Sequence, residues 1–405
     1  MEQQQNTQRN AVMTILICFL IALIEGIDLQ SAGVAAAGVS AHFGLDKSSL
    51  GLFFSAAILG LLPGGLIGGR LGDRIGRKKV LIIAVALFGL FSILTAWVTS
   101  YSGLLFARFM TGLGLGAALP NLVALASESV SDKARGRAIS LMYCGMPIGG
   151  IAVSLLASTQ LAADWKVIFY VGGVLPLMVI PLMMAFLPES RAFLATQQSA
   201  DTAQQSKFSD LFNQYFRMPT ILLWVGYFFT MMVVYMLLNW LPSLLMELGF
   251  QKKDATMVQM FFSVGAFVGT IVLGLLVDHW KMKNVILLMY SGIILGLIAL
   301  NSFSTVNAMY FAGALVGCFT IGGQMVLYAL GSQVYPTQMR GTGVGTAMTV
   351  GRFGAMAGPA VAGQFLAMGN GATGLIATCI PGIIIAAVLI LILLGTMQKR
   401  AQVQA

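Results

Sequence analysis

Residues 23–30 read LIEGIDLQ, with Glu25 and Asp28 one helical turn apart in a stretch that is otherwise apolar. A charged side chain at the centre of a bilayer costs about 2.5–3.5 kcal/mol on insertion scales, so two acids kept there imply a use. Of the 23 basic and 14 acidic residues, only Glu25, Asp28, Arg108 and Arg352 fall well inside apolar runs. Two acids and two bases allow full internal neutralisation. Apolar surroundings favour the neutral form of a carboxyl group and a nearby guanidinium favours the ionised form. Such a set can take up and release a proton as the guanidinium moves. A guanidinium also stays charged and offers paired N–H donors to a carboxylate. The chemistry these residues suit is proton exchange and the binding of an organic anion. A static ion-pair network is the alternative, although buried pairs are poor stabilisers.

The elements that hold these charges follow from hydropathy. Only 9% of the 405 residues are charged and 58% are hydrophobic, whereas soluble domains are roughly 25% charged. Twelve apolar runs, near 11–35, 48–69, 79–99, 102–126, 137–160, 165–187, 219–246, 256–278, 284–304, 307–330, 342–367 and 371–397, approach or exceed the roughly 20 residues that cross a bilayer. The polar stretch 188–217 reads as a cytoplasmic linker between an N-terminal six-helix half, 1–187, and a C-terminal six-helix half, 218–405. A shift of 205 residues brings Gly44 onto Gly249, Gly60 onto Gly265, Gly64 onto Gly269, Gly69 onto Gly274, Asp73 onto Asp278, Gly112 onto Gly317 and Arg135 onto Arg340. One constant offset across so many positions marks an internal repeat. The expected fold is an all-α membrane protein with twelve transmembrane helices in two six-helix halves. The same shift maps Glu25 onto Thr230, Asp28 onto Val233, Arg108 onto Gly313 and Pro147 onto Arg352. The buried charges therefore lie outside the repeated scaffold, as a functional site would.

The net charge of +9 does not indicate nucleic acid, because the basic residues sit in short loops such as GRLGDRIGRKK at 69–79. The loops of the opposite side carry only Lys47, Lys166, Lys252 and Lys253. The positive-inside rule then places both termini in the cytoplasm, in a plasma (bacterial inner) membrane. Cys18, Cys144, Cys318 and Cys379 occupy separate apolar runs and read as packing thiols, while His42 and His279 are expected in loops, so neither a metal site nor a cofactor is expected. The small residues AAA at 35–37 resemble a cleavage site, but the start lacks a strongly basic region and the first span is expected to be retained. No H-E-x-x-H, nucleotide-binding glycine loop or Ser-His-Asp set points to an enzyme. A sensor would need a soluble domain, and the longest polar stretch is the linker.

GRLGDRIGRKK resembles the loop signature between the second and third helices of the major facilitator superfamily, except that Ile75 stands where an aromatic is usual; GLLVDHWKMKN at 274–284 is its weaker second copy. RFMTGLGLGAALPNL, starting at Arg108, resembles the superfamily's fourth helix. EGIDLQ is similar to the D-G-x-D signature of the aromatic acid:proton symporters, with Glu25 replacing the first aspartate. FSAAILGLLPG, LPNLVALASE, SLMYCGMPIGG, VVYMLLNWLP and RGTGVGTAMTVGRFGAMAGP are similar to the branch of that family that carries hydroxyphenylpropionates, and hydroxycinnamate carriers would look alike. The resemblance implies an alternating-access transporter, usually a monomer, in which spans one and four line the central cavity and span eleven flanks it. It implies proton-coupled import of an aromatic carboxylate such as 3-(3-hydroxyphenyl)propionate or a hydroxycinnamate. A proton-coupled exporter and a carrier of another organic anion such as 4-hydroxybenzoate stay open. The loop is implied to act as a cytoplasmic gate, assigned here to Gly69, Asp73, Arg74, Gly76, Arg77, Asp278, Arg135 and Arg340.

At about 1.5 Å of rise per residue, Glu25 lies roughly 20 Å and Asp28 roughly 25 Å from the inner end of the first span, with Arg108 about 10 Å below the outer surface. Asp28 and Arg108 are thus expected at similar height, and Arg352 close to the midplane. Asp28 and Glu25 are assigned to proton coupling with Arg108, and Arg352 to the substrate carboxylate. For the aromatic ring and its hydroxyl, the candidates are Tyr235, Asn239 and the adjacent Trp240 on the seventh span and Gln324 with Tyr328 on the tenth. Tyr143 and Asn121 are further candidates. Each polar-aromatic pair has interhelical glue as its alternative role. The expected partners are a small aromatic carboxylate, protons and membrane lipid.

Overall fold

In the computed structural model, residues 2–131, 134–190, 193–194 and 208–404 are described. Among them every long element is a helix and none is a strand. In chain order these are α1 Glu2–Phe43, α2 Lys47–Ile75, α3 Arg77–Trp97, α4 Tyr101–Glu128, α5 Arg135–Tyr143, α6 Gly145–Ala157 and α7 Lys166–Phe186. They continue as α8 Arg217–Glu247, α9 Lys252–His279, α10 Met282–Ser302, α11 Val306–Val334, α12 Thr337–Ala367 and α13 Gly371–Gln404. Eleven stretches of the described residues are long and apolar enough to cross a membrane, with Arg135–Ala157 (α5 and α6) counting as one. The remaining helix, α12, has 31 residues, is rich in Gly and Thr, and carries Arg340 and Arg352. Large apolar side chains such as Ile83, Met178 and Phe311 are 60% or more exposed, a surface suited to lipid rather than water.

Local chemistry sets the helix ends. The Asp46 carboxylate accepts from the Ser49 amide at 2.8 Å and caps α2, and Ser100 does the same for α4 through Gly103. The hydroxyl and amide of Ser49 hold the Asp46 carboxyl below its ordinary range. Gly76, with φ +104°, makes the sharp passage from α2 to α3, a conformation that side chains with a Cβ rarely adopt. Three expectations need correction. The first helix does not end near 35 but continues to Phe43. His42 and His279 stand in the last turns of α1 and α9 rather than in loops. The fifth span is two helices that meet at Cys144, because Pro147 has no N–H for the Tyr143 carbonyl one turn back.

Packing divides the chain into two units, Met1–Thr202 and Ala203–Ala405, and the division falls inside the polar stretch 188–217. Parts of that stretch are tied to their own unit. Ser190 bonds Glu128 in the first, and Phe208 and Phe212 pack on Trp224 in the second. Within the first unit, the backbones of α2 and α4 touch where a Cβ on Gly60, Gly64 or Gly112 would meet Phe109, Leu113 or Ala57. Within the second, α9 and α11 touch where a Cβ on Gly265, Gly269 or Gly317 would meet Ala314, Cys318 or Phe262. Every one of these partners is displaced by the same 205 residues.

Candidate functional site

In the first unit, Glu25, Asp28 and Arg108 are 2%, 0% and 1% exposed. Glu25 and Asp28 share a face of α1 because residues three apart lie one above the other. Gly26 between them is a contact point: a Cβ there would collide with the Met146 carbonyl of α6. The glycine lets α6 lie against α1 beside the two acids. Asp28 receives donors from two other helices. Nη1 of Arg108, on α4, lies 3.3 Å from both carboxylate oxygens, and the Ser92 hydroxyl, on α3, donates to Oδ1 at 2.9 Å. From α7, the Phe169 ring covers the guanidinium with its centroid 5.4 Å from Cζ, and Gly172 leaves room beside Asp28 and Ser92. Arg108 engages Asp28 through one nitrogen only, and its Nε–H has no hydrogen-bond partner among the described residues. The guanidinium therefore has a donor in reserve.

In the second unit, Arg352 on α12 and Tyr328 on α11 are half-buried. Tyr227 on α8 completes a cluster: its ring lies 6.4 Å from that of Tyr328 and packs on Gly351, next to Arg352. Tyr227 is 1% exposed, and its hydroxyl has no hydrogen-bond partner among the described residues. Sequence reasoning missed it, because Tyr227 is followed by Phe228 and Phe229 in an apolar run and reads there as one more packing aromatic. Trp240 donates its indole N–H to the Pro359 carbonyl at 3.0 Å and clamps α8 to α12. Asn239 bonds the Tyr235 carbonyl in its own helix at 2.8 Å. Tyr235 and Gln324 are half-buried. In the first unit, Asn121 bonds the carbonyls of Gly68 and Ala117 at 3.1 and 2.8 Å and ties α4 to α2. Tyr143 ends α5, half-buried.

At the basic end of the first unit, Arg77 bonds Asp73 at 3.0 Å and approaches Glu128 at 3.8 Å. Glu189 accepts from the Lys78 amide at 3.0 Å and fills the space a Cβ on Gly76 would need. Arg74 is exposed, and Gly69 has open space around it. Arg135 begins α5, Arg340 lies in the first turn of α12 and Asp278 in the last turn of α9, all exposed. Glu128 and Glu189 were not among the sequence candidates. The signal available was that each acid stands at the end of an apolar run facing the basic loop, in ASE at 126–128 and PES at 188–190.

The model of the Major Facilitator Superfamily matches residues 18–359. The chain belongs to the major facilitator superfamily. It is 50% identical to the 3-(3-hydroxyphenyl)propionate transporter of Escherichia coli over 97% of this chain and 96% of that one. It is 31% identical to a 4-hydroxybenzoate transporter of Pseudomonas putida, over 90% and 88% of the two chains. Among solved structures, a D-xylose-proton symporter superposes with a TM-score of 0.76 over 93% of this chain and 97% of that one, at 18% identity, which speaks to the fold alone. Members of the superfamily and these relatives are transporters, so this facilitator is an integral membrane transporter and not an enzyme. In facilitator terms, α5 and α6 together are the fifth span and α12 is the eleventh.

Proposed function

We propose that this facilitator is a proton symporter that imports an aromatic carboxylate, of the kind named for its relatives, across a bacterial inner membrane with both termini in the cytoplasm. The observation that carries the reading is the buried trio of Glu25, Asp28 and Arg108. With both acids ionised the trio holds one net negative charge, and a single proton makes it neutral. A buried net charge is costly, so this unit is built to hold one proton and to register its loss. Asp28, already facing a guanidinium that can move, is the assigned proton carrier, with Glu25 beside it on the same face. In the second unit, Arg352 binds the substrate carboxylate, because a guanidinium remains charged and matches a carboxylate in two bonds. The rings of Tyr227 and Tyr328 lie 6.4 Å apart, with Tyr227 packed on Gly351 next to Arg352, and offer faces for the aromatic part. The 50% identity to a 3-(3-hydroxyphenyl)propionate transporter supports that compound as the first substrate to test. At the basic end, Asp73, Arg77, Glu128 and Glu189 form the gate, with Gly76 giving Glu189 its place.

Uptake of radiolabelled 3-(3-hydroxyphenyl)propionate into proteoliposomes tests the proposal. An inward proton gradient should drive accumulation in the wild type, while Asp28→Asn should keep substrate exchange and lose accumulation. Uptake indifferent to the gradient, or a mutant that accumulates normally, would show that the two acids are structural. Gradient-driven efflux of preloaded substrate in place of uptake would reverse the direction.

A further inference from the structure

The Ser92 hydroxyl lies within reach of two acceptors on different helices. It is 2.9 Å from Asp28 Oδ1 on α1 and 3.2 Å from the Phe169 carbonyl oxygen on α7. Ser92 is fully buried, as are Asp28 and Phe169. A hydroxyl has one hydrogen to donate and can also accept. When Asp28 is ionised, it takes that hydrogen. When Asp28 carries a proton, its O–H can donate to Ser92, and the serine hydrogen is released to Phe169. The geometry points to Ser92 as the positioning residue that reads whether Asp28 holds a proton and passes that state to α7.

Three further contacts make the assignment more than a shared hydrogen bond. Phe169 also supplies the ring over Arg108, so the residue that receives the serine hydrogen touches both partners of Asp28. One turn further along α7, a Cβ on Gly172 would sit 3.1 Å from Ser92 Oγ and 3.5 Å from Asp28 Oδ1, so no side chain competes for the hydroxyl. One turn before Ser92, Gly89 lies against Gly173 of α7 with backbones in contact, so α3 and α7 meet closely where the hydroxyl turns. Arg108 from α4 is the charged group facing Asp28, and Glu25 lies one turn away on α1 itself. Helix α6 carries no titratable side chain besides its sequence neighbours' thiol at Cys144, and the charged residues of α2, α3, α5 and α7 stand at their ends. The phenol of Tyr170 on α7 is bonded by Trp97, and Tyr143 ends α5.

The inference rests on the proposed role of Asp28 as proton carrier, and two readouts separate the two claims. The first is infrared difference titration of the buried carboxyl band that disappears in Asp28→Asn, in wild type, Ser92→Ala and Ser92→Thr. Losing a donor to the ionised form makes Asp28 keep its proton to higher pH. The midpoint in Ser92→Ala should therefore move alkaline by about half to one pH unit, and Ser92→Thr, which keeps the hydroxyl, should return it to the wild-type position. The second readout is the pH profile of uptake, expected to move in the same direction with KM at acidic pH unchanged. A Ser92→Ala midpoint equal to wild type, an acid shift, or the same shift in Ser92→Thr would overturn the assignment. Normal accumulation by Asp28→Asn would overturn the coupling role while leaving the infrared test of Ser92 to stand on its own.

Discussion

Asp28 is held from α3 and α4, and each holder does something different. Arg108 supplies charge, Ser92 supplies a reversible hydrogen, and Phe169 of α7 lays its ring over the guanidinium. Removing Arg108 leaves the Asp28 carboxylate buried without its ion-pair partner, so Arg108→Ala should destabilise the first unit by about 3–5 kcal/mol, read from the thermal unfolding of purified protein. Arg108→Ala combined with Asp28→Asn should recover much of that loss. Tyr227 presents the opposite situation, a buried hydroxyl with no hydrogen-bond partner among the described residues. An unsatisfied buried donor costs about 1–3 kcal/mol, so Tyr227→Phe should leave the empty protein as stable as wild type or more so. A fall in stability on that substitution would show that the hydroxyl is bonded in the resting protein.

At the scale of elements, the close helix crossings are the fixed points around which the site is built. α2 meets α4, and α9 meets α11, backbone to backbone at glycines. Gly112→Ala and Gly317→Ala would each force a Cβ into a carbonyl of the facing helix, at a cost of about 1–3 kcal/mol each. The two losses should be similar, because the crossings are copies of one another; unequal melting shifts would show that the repeat no longer carries equal strain. Helix starts add a pH dependence of their own. The Asp46 carboxyl is held below its ordinary range by Ser49, so the stabilisation it gives α2 is present at neutral pH and is lost as pH falls below about 4, through its folded value. A fall in the protection factor of the Ser49 amide in acid, absent in Asp46→Asn, would report that loss.

For the whole molecule, the long apolar helices and the exposed apolar surface belong together in a bilayer. Single cysteines placed at the two ends should both be shielded from a membrane-impermeant thiol reagent in intact cells; labelling of either would invert the proposed topology. The amino-acid sequence by itself determined the class of this protein. Apolar runs of membrane length, a 205-residue repeat and four charges placed off that repeat are one-dimensional signals, because helix length and insertion cost act on contiguous residues. It even placed Asp28 and Arg108 at matching depth, since helical rise is constant. It did not reveal that Ser92 and Phe169 complete the surroundings of Asp28, that Glu128 and Glu189 face the basic loop, or that Trp240 and Asn121 are engaged in holding helices together. Those facts depend on which faces of distant helices meet and on how far each side chain reaches. Serines of the same appearance occur elsewhere in the chain, so only the tertiary packing decides which of them stands beside a buried charge.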